Sequence, residues 1–70
     1  MNDVTVTIGL CVRNSEATVR RALSGILSQD FPMELVELVV VDGNSSDATV
    51  EIVRQVLGGS RLRHEVFFKN

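Results

Sequence analysis

Apolar positions along the chain change their spacing four times and so divide it into five elements. Residues 4 to 12, VTVTIGLCV, alternate threonine with apolar residues and finish apolar, which predicts a first strand. In EATVRRALSGILSQ, residues 16 to 29, Val19, Leu23, Ile26 and Leu27 fall on one helical face, with Arg20, Arg21 and Ser24 elsewhere. Asn14 or Ser15 stands where that helix needs a cap, and DFPMEL ends it at Pro32, because proline drives its predecessor out of the helical region. VELVVVD, residues 36 to 42, predicts a second strand, and its unbroken β-branched run reads as buried on both faces. DATVEIVRQVL, residues 47 to 57, predicts a second helix with a stripe of Val50, Val53 and Leu57, closed by Gly58-Gly59. RLRHEVFFK, residues 61 to 69, predicts a third strand whose Phe67 and Phe68 face opposite ways, one toward the core.

Strand, helix, strand, helix, strand implies parallel pairing, since each helix returns the chain to the same end of the sheet. The expected fold class is α/β: a three-stranded parallel sheet with two crossover helices, a Rossmann-like βαβαβ unit. Right-handed crossovers give the strand order 3-2-1, place both helices on one face and leave the other face bare. The outer strand edges are then open to pairing with another copy of the chain. That order also sets the end of the first strand, CVRN, beside the end of the second, VDGNSSD.

At 70 residues the chain supports one small core, so it is read as a single unit spanning 1–70. A net charge of −2 leaves no electrostatic footprint for nucleic acid or an anionic membrane, and neither is expected as a partner. One cysteine excludes an internal disulfide framework and suits a reducing compartment. The amino-terminal stretch lacks the basic start and apolar run of a signal peptide, and no run is long enough to span a bilayer; a cytoplasmic location is expected.

Candidate chemistry gathers where the second strand gives way to DGNSSDAT. Gly43 and Asn44 suit the positive φ of a tight turn, and Ser45, Ser46 and Asp47 offer oxygens to a helix start, Asp47 as its cap. Ligands of open α/β sheets bind at the carboxyl ends of strands, so Cys11, Arg13, Asn14, Asp42 and Ser45 outline a cleft. Asp42 is expected at the strand end, facing that cleft and outside the core, either as a ligand contact or as a cap of its own turn. Arg13 reads equally as a solvated charge or a phosphate contact, Asn14 as a contact or a helix cap, and Glu16 as a favourable charge at a helix start. Cys11 is expected to be buried filler, as free cysteines usually are. The glycines of a dinucleotide loop, a Walker loop, zinc-ligand spacings and a nucleophile elbow are all absent, and His64 has no partner in sequence.

TVTIGLCVRNSEATVRRALSGILSQDFP followed by ELVVVDGNSSDATVEIV resembles the opening of the inverting glycosyltransferase family 2, nucleotide-sugar enzymes of GT-A fold, over residues 4 to 55. The family pattern runs roughly VSVVIPTYN, then an acid pair in VVDDGSTDGT. By position, Cys11 stands for the usual proline, Arg13 for the tyrosine, Asn14 for the asparagine, Asp42 for the first acid and Gly43 for the second. The resemblance implies that these two loops grip the nucleotide of a nucleoside-diphosphate sugar, so the expected nucleotide-binding residues are Cys11, Arg13, Asn14, Asp42, Gly43 and Ser45. It further implies that a divalent metal (Mg or Mn) and a catalytic base belong to regions farther along a full-length enzyme. No catalytic or metal-binding residue is therefore assigned to these 70 residues, which read as the donor-binding amino-terminal part of such an enzyme, inactive alone. The rival reading is a non-catalytic nucleotide-binding or self-association module; neither sugar nor acceptor is legible.

Overall fold

A computed structural model describes residues 6–30 and 32–69. The elements run β1 (Val6–Val12), α1 (Val19–Leu27), a short 3-10 turn (Met33–Leu35), β2 (Val36–Asp42), α2 (Thr49–Gly58) and β3 (Arg63–Phe68). The expected start of the first strand at Val4 lies outside the described residues, as does Phe31 before the proline. Both strand pairs are parallel and β2 is central, with Val12 opposite Asp42, Cys11 opposite Val41, and Val41 opposite Phe67. This is the order 3-2-1 expected from right-handed crossovers.

Both helices cover one face. Val19 and Leu23 of α1 and Val53 and Leu57 of α2 join Val12, Val36, Leu38, Val40 and Leu62 in a single buried cluster. Strand side chains alternate between faces, so even-numbered residues of β1, β2 and β3 point toward the helices and odd-numbered ones toward the open face. Along β2 the even positions Val36, Leu38, Val40 and Asp42 are buried, and Glu37, Val39 and Val41 are only half-buried. The reading of β2 as buried on both faces is thus corrected: its valines at 39 and 41 face an uncovered surface, shielded only by their neighbours across the sheet.

Three further expectations change. Helix α1 starts at Val19, three residues after Glu16, because the Ser15 carbonyl accepts the N–H groups of both Thr18 (2.9 Å) and Val19 (2.7 Å) and closes a tight turn first. Neither Asn14 nor Ser15 caps it by side chain. In α2 the core-facing stripe is Thr49, Val53 and Leu57, with Val50 only half-buried, so a threonine occupies the place expected for a valine. Phe67 and Phe68 are both exposed, and Phe68 reaches no core: its ring lies beneath the Arg54 guanidinium, 5.5 Å from the centroid, in cation–π contact.

Central burial under the helices makes Leu38 the position most sensitive to truncation. Leu38→Ala is expected to destabilise the fold by about 2 to 5 kcal/mol, whereas Thr7→Ala on the exposed face stays within about 0.5 kcal/mol. Urea unfolding followed by circular dichroism checks both.

Candidate functional site

The two loops at the carboxyl ends of β1 and β2 meet above the sheet, and β2 itself divides their residues by parity. Asp42 is even-numbered and lies opposite Val12, so its side chain enters the helix side, where it is 2% exposed. There its Oδ2 accepts the Ser45 N–H (2.9 Å) and its Oδ1 accepts the Ser45 hydroxyl (2.6 Å). The expectation that Asp42 faces the cleft outside the core is therefore corrected; its carboxylate caps its own turn. The hydroxyl of Ser45 and then its N–H hold the Asp42 carboxyl below the ordinary aspartate range, against the opposing pull of burial.

Asn44 supplies the left-handed residue of this turn at φ 67°, and Gly43 does not. Asn14 takes the same conformation in the first loop, at φ 46°, which asparagine tolerates better than most residues. From there the loops interlock. Three consecutive N–H groups donate across: Asn14 to Ser45 Oγ (2.8 Å), Ser15 to Thr49 Oγ1 (2.7 Å) and Glu16 to Asp47 Oδ2 (3.3 Å). In return the Asn14 side-chain oxygen accepts the Ser46 N–H (2.8 Å). Thr49 is fully buried, and its hydroxyl donates to Asp47 Oδ1, which also accepts the Thr49 N–H at 3.0 Å. The N-cap of α2 is Ala48, not the expected Asp47, which stands one residue earlier and holds the helix start through Thr49; the Thr49 hydroxyl leads the hydrogen bonds that keep its carboxyl low. Glu16 contributes its backbone rather than its charge.

The odd-numbered residues form the accessible side. Cys11, Arg13, Val41, Gly43 and Lys69, with Val12, line a concavity of about 250 Å³ at the carboxyl end of the sheet. Cys11 is exposed on this open face, which corrects the reading of it as buried filler; it sits on an edge strand at a position no helix covers. Of the expected site residues, then, Cys11, Arg13 and Gly43 line the concavity, while Asn14, Asp42 and Ser45 lock the loops behind it. Lys69 was not expected there. Its signal was available, since strand order places the end of β3 beside β2 and Lys69 shares parity with Phe67 opposite Val41. A larger concavity of about 360 Å³, lined by Pro32, Met33, Glu34 and Arg61, lies at the amino ends of β2 and β3, away from both loops and from the strand ends where such sheets bind ligands.

Residues 7–69 match the model of glycosyl transferase family 2. The chain belongs to that family. Glycosyltransferase AglE of Haloferax volcanii is 36% identical over 50 residues, covering 71% of this chain and 16% of AglE. A mannosyltransferase, PcManGT from Pyrobaculum calidifontis, solved in complex with GDP-Man and Mn2+, superimposes with a TM-score of 0.85 at 29% identity. That superposition covers 93% of this chain and 19% of the mannosyltransferase, so the chain spans less than a fifth of either relative. The α/β unit is accordingly a Rossmann-like part of a GT-A fold. Among the described residues no three of His, Cys, Asp and Glu gather as metal ligands, and Asp42 and Asp47 are occupied by hydroxyls and N–H groups. These residues do not fit a divalent metal. No helix among them is long and apolar enough to cross a membrane.

Asp42→Asn is expected to lower stability by about 1 to 3 kcal/mol, because an amide NH2 replaces one acceptor and confronts the donors of Ser45. Both aspartates have folded-state pKa values below their unfolded ones, so their contribution is fully present above about pH 4 and is lost as pH falls through the lower folded values. Urea melts at neutral pH and at about pH 3 should show this loss, and Asp42→Asn should reduce it.

Proposed function

We propose that the concavity holds the nucleotide of a nucleoside-diphosphate sugar, and that this chain supplies the nucleotide-binding loops of a glycosyltransferase. The observation that carries the reading is the pairing of two cations, Arg13 and Lys69, over an apolar wall that includes Val41, at the strand ends of a family 2 fold. A guanidinium can chelate phosphate oxygens bidentately or stack on a base, and an ammonium supplies a point charge to the diphosphate. Cys11 and Gly43 leave room for close approach, and Asn14, Asp42 and Ser45 fix the backbone from which Arg13 projects. In the transfer, the acceptor oxygen bonds to the anomeric carbon as the carbon's bond to the diphosphate breaks, and the acceptor's hydroxyl proton passes to the base that the family resemblance places farther along a full-length enzyme. Arg13 and Lys69 would then stabilise the charge left on the departing nucleoside diphosphate. GDP-Man in the related mannosyltransferase supports a donor of this class.

Nucleotide in the concavity would cover the exposed thiol. GDP or UDP should therefore slow alkylation of Cys11 by iodoacetamide. Arg13→Gln or Lys69→Gln should each weaken nucleotide binding by roughly tenfold or more, because a hydrogen bond to a charged group contributes about 1.5 to 3 kcal/mol. Calorimetry with both nucleotides measures this; no binding and an unprotected Cys11 would defeat the reading.

A further inference from the structure

Thr49 is the one buried polar residue of α2, set at the head of its core-facing stripe, and it lines no part of the concavity. Its hydroxyl has a single proton, donated to the Asp47 carboxylate, so the lone pairs that remain face the Ser15 N–H at 2.7 Å. Ser15 in turn holds Arg13, its Oγ donating to the Arg13 carbonyl at 3.0 Å. Ser45 repeats the arrangement one position earlier, donating to Asp42 and accepting the Asn14 N–H. Two parallel relays, each carboxylate to hydroxyl to amide, therefore tie the β1 loop to the β2–α2 connection, through Ser45 at the turn after β2 and through Thr49 at the start of α2. Each hydroxyl is polarised by its carboxylate and becomes a stronger acceptor for the amide.

We propose that Thr49 is a positioning residue: through Asp47 on one side and Ser15 on the other, it holds the 13–16 loop in the conformation that presents Arg13 to the concavity. The inference rests on the nucleotide reading above for its functional consequence, and on the relays for its physical basis. Thr49 touches nothing in the concavity, so simple loss of a contact would not produce the effect. Valine has the shape of threonine without the hydroxyl, and leaves both the Ser15 N–H and one Asp47 lone pair unanswered. Serine retains the relay.

The test compares Thr49→Val, Thr49→Ser and a core control, Val53→Ala, in the 70-residue chain at a temperature where each is folded. Two readouts are taken: amide hydrogen exchange at Asn14, Ser15 and Glu16, and calorimetric affinity for GDP and UDP. Thr49→Val should raise exchange at Ser15 at least tenfold and weaken nucleotide binding several-fold, and Thr49→Ser should restore both. Val53→Ala should lower the melting temperature without raising exchange at Ser15 selectively or changing affinity. If Thr49→Val leaves Ser15 protected, or if Val53→Ala weakens binding as much, the positioning role is wrong. A wild-type chain that binds neither nucleotide overturns the nucleotide reading alone, and exchange at Ser15 then decides the relay by itself. Should Thr49→Val not fold, Asp47→Asn takes the charge from the same relay at a half-buried residue, and the same readouts at Ser15 decide the proposal.

Discussion

A carboxylate taken out of water must be given donors, and in this fold the donors that satisfy Asp42 determine how both functional loops run. Parity sends the Asp42 side chain under the helices, where an unanswered charge would be prohibitive. The chain after β2 must therefore turn back at once to bring the N–H and hydroxyl of Ser45 to it, and Asn44 accepts a positive φ to make that turn. Once Ser45 is fixed, its oxygen lies where the Asn14 N–H of the neighbouring loop needs an acceptor. The turn after β2 and the turn after β1 are thus one hydrogen-bonded structure. Among the described residues every buried side-chain nitrogen or oxygen has a partner, which is the condition for such a polar seam to rigidify rather than destabilise.

The same parity separates support from display. Even-numbered strand residues and the polar seam face the helices, where packing and paired hydrogen bonds hold them. Odd-numbered residues face outward and line the concavity: a thiol, a guanidinium, an ammonium and a glycine around Val41. On the proposed nucleotide reading, such a site would take its rigidity from side chains behind the loops and its recognition from side chains on the open face. Asp47 and Thr49 show how far the support extends, because they belong to the start of α2 and still anchor the backbone of the β1 loop.

Periodicity carried most of the fold. β2 was bounded at Val36 and Asp42, and the crossover rule supplied strand order and the common face of the helices, because those depend on local pattern and chirality alone. What periodicity missed has a single origin. A run such as VVVD shows no alternation of residue type, so the pattern does not reveal which positions lie under the helices; with the parity unassigned, Asp42 reads as facing outward, and the general burial of free cysteines goes uncorrected at Cys11. Thr49 was hidden for a related reason. A threonine at the head of an amphipathic helix looks like a solvated first-turn residue, and its burial follows from partners in a loop more than thirty residues away in sequence. Lys69 needed the same parity, carried one strand further.

Parity also gives meaning to the chain's departure from the family pattern at Gly43. A side chain there would lie on the open face, its Cβ 3.5 Å from that of Arg13 and 3.7 Å from Arg13 Cδ. The second acid of the family pattern would thus stand against the base of the guanidinium-bearing side chain and compete with any ligand for its charge. Glycine removes that competitor, and arginine at position 13 supplies the charge. The residues lining the concavity consequently include two cations and no carboxylate, on a chain whose net charge is −2, with Asp42 and Asp47 bonded behind the loops. Arginine beside an aspartate at 43 would be neutralised in place, and glycine beside a tyrosine at 13 would leave the site without a fixed cation on this loop. Together Arg13 and Gly43 concentrate positive charge at the strand ends, which is the electrostatic character that a diphosphate, and not an uncharged sugar, requires.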